Sequence, residues 1–139
     1  MEKGLTMAQL AVGQVYSSKV VIKEDLVRRF AETTGDYNPL HLDEQYAKET
    51  IFQTRVAHGM LLGGILSGVL GTQFPGAGTI HLSQSFKFLK PVLIGDEITL
   101  RITVLERIEE KNRVRMETLF HNQRGQTVIT GEALVMPPS

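Results

Sequence analysis

Within the seven residues Gly35-Asp36-Tyr37-Asn38-Pro39-Leu40-His41 the chain places a carboxylate, an amide and an imidazole. An acid and an imidazole turned toward one another can hold a water between them. One then takes a proton and the other gives one, which is the chemistry of adding or removing water. The same residue types are also ordinary turn formers. Asp36 can close an Asx turn and Asn38 can bond its own loop backbone. Spacing alone leaves both readings of Asp36 and His41 open, and it favours a loop-shaping role for Asn38. A second candidate is His58-Gly59, just before a long apolar stretch. The unpaired N–H groups and positive dipole end of a helix starting there suit a carbonyl oxygen that gathers negative charge. His58 itself reads as a satisfied histidine near the core. Ser67 lies inside the apolar stretch, where a hydroxyl usually bonds back to the carbonyl one turn earlier. His81 and His121 fall on strand faces expected to point outward. With no acid or cysteine at ligand spacing, no metal site is expected. Neither a Gly-x-Ser-x-Gly elbow nor a phosphate-binding P-loop occurs.

The elements that must position these residues follow from periodicity. Residues 15–22 are β-branched enough for a first strand. Over 23–34 the period changes: Leu26, Val27, Phe30, Ala31 and Thr34 form a helical stripe, Glu24 and Asp25 suit the first turn, and Gly35 is a C-terminal stop. Pro39 biases Asn38 away from helical dihedrals, so 36–42 is expected to be an ordered non-helical loop. Asp43 can cap a short helix to about residue 49, and 51–57 reads as an irregular connection. Residues 59–73 are apolar all round, which predicts a helix surrounded by protein. Each interior glycine of that helix costs about 1 kcal/mol relative to alanine. Close approach of another backbone or a ligand would offset this. From Ile80 the period is two. Ile80, Leu82, Phe86 and Phe88 share one face, and three more strands follow over 97–108, 113–122 and to about 135. Short turns between the four predict an antiparallel meander.

Composition bounds the rest. The 139 residues suit one α+β domain, with a sheet face wrapped on a central helix and no linker or repeat. Fifteen basic and fifteen acidic residues cancel, so neither nucleic acid nor an anionic membrane is an expected partner. With no cysteine there is no disulfide framework and no thiolate nucleophile, which suits a reducing compartment. The N-terminus does not read as a secretory signal, and the run from Met60 to Leu70 is too short to span a bilayer. The expected location is the cytoplasm.

The motif Gly35-Asp36-x-Asn38-Pro39-Leu40-His41, then Ala47, then His58-Gly59-Met60 opening a glycine-rich apolar helix, resembles the MaoC-like (R)-specific enoyl-CoA hydratases. These are the hydratase-2 group of the hotdog fold, and the short polyhydroxyalkanoate-pathway hydratases are the most similar. The likeness runs from Val12-Gly13-Gln14 through Lys90-Pro91-Val92 and Gly95-Asp96-Glu97 to Gly131-Glu132-Ala133. It implies that Asp36 and His41 are the catalytic pair that activates one water. His41 would take its proton during attack at C3, and Asp36 would deliver a proton to C2. Gly59 would offer its N–H to the thioester oxygen. Asn38 would support the loop, and Ser67 would face the site from the central helix. It further implies no metal or redox cofactor, coenzyme A as the substrate carrier, and a homodimer with active sites near the interface. Leu66, Val69 and Leu70 are the residues expected to close the acyl tunnel.

Three other functions compete. A 3-hydroxyacyl-[acyl carrier protein] dehydratase would run the same dyad in reverse. Thioesterases of this fold usually place a carboxylate on the central helix, and residues 59–73 contain none. A non-catalytic acyl-CoA sensor or inactive partner subunit would more often have lost Asp36 or His41.

Overall fold

Alternating apolar and polar residues build the sheet, and the residues that break the alternation decide how its strands are ordered. The computed structural model describes residues 1–139. Its strands are β1 (Val15–Val21), β2 (Ile80–Phe88), β3 (Glu97–Ile108), β4 (Arg113–His121) and β5 (Thr127–Met136). They form one sheet of order β1-β3-β4-β5-β2, antiparallel throughout. Ile98, Leu100, Ile102 and Val104 of β3 are buried, as are Val114, Met116 and Phe120 of β4, so the predicted inward rows of both strands face the core.

The four-strand meander is not formed. Only β3, β4 and β5 are neighbours in chain order, because β2 pairs with β5 at the far edge. The connection from β2 to β3 crosses the sheet to a place between β1 and β4. On its way Val92 accepts from the Ala57 N–H at 2.8 Å, and Leu93 bridges Val56. A meander and a crossover share the same period of two, so alternation cannot separate them. The shared face expected of Ile80, Leu82, Phe86 and Phe88 is also interrupted, since Leu82 falls at a register shift between His81 and Ser83. Ile80, Leu82 and Phe88 stay exposed on this edge strand.

Four α-helices accompany the sheet: α1 (Glu24–Thr34), α2 (Pro39–Leu42), α3 (Glu44–Lys48) and α4 (Gly59–Thr72). Val27 and Ala31 of the predicted α1 stripe are buried. Residues 39–42 were expected to be non-helical and instead form α2. Pro39 keeps Asn38 extended, with ψ 121°, yet sits in the first turn itself, where a helix needs no N–H from it. The α4 helix runs into the sheet's apolar face, and its Leu62, Leu66 and Leu70 join β3, β4 and β5 residues in a single core. It is not enclosed all round, however. Met60, Gly64, Ser67 and Gly68 lie on an exposed side. A Cβ built on Gly59 or Gly63 would meet the ring of Phe88 or Phe86, whereas one on Gly64, Gly68 or Gly71 would meet nothing within 4 Å. The close approach that the glycines suggested is therefore present on one side of the helix. The arrangement is the α+β hotdog expected of this chain, a curled antiparallel sheet over a long helix.

Candidate active site

The site is assembled from the end of α1, the capped turn α2 and the start of α4. Gly35 ends α1 in the left-handed region at φ 79°, a conformation glycine adopts without strain. The chain then turns through two side-chain bonds. The Asp36 N–H donates to Thr34 Oγ1 at 3.2 Å, and Asp36 Oδ1 accepts from the Asn38 N–H at 3.3 Å. Asn38 caps α2 by accepting from the Leu40 N–H at 3.1 Å. Its loop-shaping role is thus met by the geometry.

On α2, His41 is 9 % exposed and its Nδ1 lies 2.7 Å from the Val56 carbonyl. A carbonyl oxygen only accepts, so Nδ1 carries the proton and Nε2 of the neutral ring holds the free lone pair. Asp36 is exposed, and one ligand-type atom from each of Asp36, His41 and His58 lies within 4.8 Å of the others. That spacing alone does not make a metal site, and one nitrogen of each imidazole is already committed to a carbonyl.

His58 is the residue the sequence reading undervalued. It is buried at 2 % exposure, and its Nε2–H donates to the Asp36 backbone carbonyl at 3.0 Å. Its ring packs on His41 with centroids 3.9 Å apart and on Phe30 at 4.8 Å. It is not a fully satisfied histidine, because Nδ1 is buried without a partner. Desolvation holds its imidazole below the ordinary range, and the bond to the Asp36 carbonyl opposes that in part. Its place beside Gly59 was the one available signal. Arg55 was missed too: its Nε–H donates to the His41 carbonyl at 2.8 Å, and nothing in its sequence surroundings indicates this.

Asp36, His41, His58 and Gly59 line one cavity of about 310 Å³, whose other walls include Leu40, Phe52, Met60, Phe88, Val92 and Ile129. Gly59 is the first residue of α4, so its N–H has no intrahelical acceptor. Ser67 does not line this cavity; it is exposed, two turns further along α4. Of the residues expected to close a tunnel, Leu66 and Leu70 are core residues and Val69 packs against them. None of the three lines the cavity. Of the two strand histidines, His81 is exposed as expected, while His121 is half-buried with Nδ1 3.1 Å from the Thr127 hydroxyl. A titratable pair, an unpaired helix-start N–H and apolar walls together make a place where a polarised double bond could meet a water.

Comparison with known proteins gives this geometry its relatives. Residues 7–125 match the model of the "MaoC like domain" family. The (R)-specific enoyl-CoA hydratase of Rhodospirillum rubrum is 46% identical over 127 residues, which cover 91% of this chain and 88% of that protein. Among solved structures, the R-hydratase PhaJ1 from Pseudomonas aeruginosa, unliganded, superposes with TM-score 0.92 at 44% identity. That match covers 98% of this chain and 87% of PhaJ1. The (R)-hydratase of A. caviae involved in PHA biosynthesis superposes with TM-score 0.89 at 41% identity, covering 93% of this chain and 98% of the other. With the family model spanning most of its length and these relatives sharing its fold, the chain belongs to the MaoC-like domain family.

Proposed function

We propose that this protein is an (R)-specific enoyl-CoA hydratase, which adds water reversibly to a trans-2-enoyl-CoA and gives the (R)-3-hydroxyacyl-CoA. The observation that carries this is the shared cavity, where Asp36 and His41 stand beside the helix-start N–H of Gly59. The identity to named (R)-specific hydratases supports the stereochemistry and the thioester class.

His41 Nε2 is the acceptor, since Nδ1–H is committed to Val56. One water sits between Asp36 and His41, and the pair shares one proton. As the water oxygen bonds to C3, its proton passes to His41 Nε2. The C2=C3 electron pair shifts toward the thioester, whose oxygen gathers negative charge against the Gly59 N–H and the positive end of α4. Asp36 delivers its proton to C2 and regains one from His41, so one water is added in full and the dyad is restored. Coenzyme A serves as substrate carrier, and this addition calls for no metal or redox cofactor. Asn38 supports the loop by capping α2.

The protein is proposed to act as a cytoplasmic homodimer. The exposed side of α4 and the apolar edge strand β2 support the dimer, since both are unpartnered apolar surface in the single chain. No helix is long and apolar enough to cross a membrane.

The test is incubation of purified protein with crotonyl-CoA. Loss of the conjugated-enoyl absorbance and a product of (R) configuration are expected. Release of free coenzyme A and carboxylic acid alone would overturn the assignment. Asp36→Asn and His41→Ala should each lower kcat by roughly 10²–10⁴-fold with the fold intact by circular dichroism. Full activity in either variant would remove that residue from the dyad.

A further inference from the structure

His41 is held at two points by two consecutive residues. The Val56 carbonyl accepts its Nδ1–H at 2.7 Å, and the Arg55 Nε–H donates to its backbone carbonyl at 2.8 Å. Arg55 is anchored in turn. Its Nη2 donates to Glu24 Oε1 in the first turn of α1 at 2.9 Å, and its backbone N–H donates to Glu44 Oε2 of α3 at 3.4 Å. The side chain is 15 % exposed and does not line the cavity of Asp36 and His41. It lies behind the site, in a separate recess with Glu24, Glu44 and Leu93. The hydrogen bond from Arg55 is the first reason the Glu24 carboxyl is held below its ordinary range, so the pair stays ionised at neutral pH.

We propose that Arg55, anchored on Glu24, is a positioning residue for hydration: it fixes the 55–56 segment against α2 so that the Val56 carbonyl selects the Nδ1–H tautomer of His41. Arg55 links three elements at this point: the start of α1, the short helix α2 and the strand-like segment before α4. One guanidinium satisfies a carbonyl through Nε and a carboxylate through Nη2, in the fixed fork that a lysine ammonium cannot reproduce. If the segment slips, the Val56 carbonyl moves off Nδ1 and the ring also samples the Nε2–H form. That form has no lone pair at Nε2 to offer the water. A displacement of about 1 Å at a reacting group costs on the order of 10²-fold in rate. Arg55 does not touch the substrate cavity, so its loss affects turnover and leaves ground-state binding in place.

The inference rests on the proposed hydratase activity, and the experiment separates the two. Arg55→Met, Arg55→Lys, Glu24→Gln and the Arg55→Met/Glu24→Gln double variant are assayed with crotonyl-CoA. The tautomer of His41 is read independently from its ring ¹⁵N shifts in unliganded protein. Arg55→Met is expected to lose roughly 10–100-fold in kcat with KM within about twofold, and to show mixed His41 tautomers where the parent shows Nδ1–H. Glu24→Gln is expected to lose less, and the double variant no more than Arg55→Met alone, because Glu24 acts through Arg55. Arg55→Lys is expected to stay folded and still show mixed tautomers, which carries the test if Arg55→Met does not fold. Parental kcat in the Arg55 variants, or a His41 that keeps Nδ1–H in them, overturns the positioning role. A parent protein that shows Nδ1–H but hydrates nothing overturns the hydratase assignment and leaves the tautomer result to decide the clamp.

Discussion

Two imidazoles whose centroids lie 3.9 Å apart repel one another when both are protonated, and burial decides which of them stays neutral. His58 is the deeper of the two. Desolvation is the first reason its imidazole is held below the ordinary range, and nearby His41 adds to the lowering. His58 is therefore suited to hold the Asp36 carbonyl without competing for the proton that His41 takes up in the proposed reaction. In the unfolded chain His58 takes up a proton near pH 6.5, whereas the folded chain resists it until lower pH. Its contribution to stability is fully present above about pH 6.5 and is lost as pH falls through the folded value. Urea unfolding at about pH 7.5 and about pH 5.5 should show parental stability falling toward acid. His58→Gln, which keeps a donor but does not titrate, should lose less over that interval. Equal losses in both proteins would trace the slope to other groups.

At the scale of elements, α2 exists because a cap and a proline coincide. Asn38 supplies the acceptor for the Leu40 N–H, and Pro39 supplies a pre-set φ in a turn that needs no donor from it. Four residues cannot be stable as an isolated helix, so α2 depends on its cap and on the bonds His41 makes to the 55–56 segment. Asn38→Ala should cost about 1 kcal/mol, or about 3 °C in Tm for a chain of this size. Because His41 rides on this turn, kcat should fall by more than so small a loss of stability explains. Thermal unfolding and steady-state kinetics on one preparation check this, and an unchanged kcat would mean that the bonds from Arg55 and Val56 hold His41 without the cap.

At the scale of the molecule, α4 has two unlike sides. Its leucines close the core against the sheet, while Met60, Gly64, Ser67 and Gly68 face outward with no side chain near the glycines. The edge strand β2 leaves Ile80, Leu82 and Phe88 exposed as well. Under the proposed homodimer these surfaces are covered by the second copy, and a large charge on α4 should prevent that. Gly68→Arg is expected to shift the protein toward monomer in sedimentation velocity without unfolding it, since a side chain there meets nothing within the chain. A parental dimer, or a monomer already in the parent, would show that this face is not the interface.

Much of this was legible in the residues themselves, because local physics fixes local structure. The α1 stripe and its Gly35 stop, the Asp43 cap, the start of α4 at Gly59 and the inward rows of β3 and β4 each depend on spacing within one element. The motif from Asp36 to His41 marked the two residues that the fold brings into one cavity with Gly59. What tertiary structure alone decided depends on contacts distant in sequence. The pairing of β2 with β5 rather than β3 joins strands whose own patterns permit either. Whether Ser67, Leu66 and Leu70 face the site or another surface depends on how α4 is rotated against the sheet. The His41 tautomer is set by a carbonyl fifteen residues away, and Arg55 reaches thirty-one residues back to Glu24. Sequence supplied the carboxylate and the imidazole, while a long-range hydrogen bond to the Val56 carbonyl decided that Nε2 is the nitrogen of His41 left free.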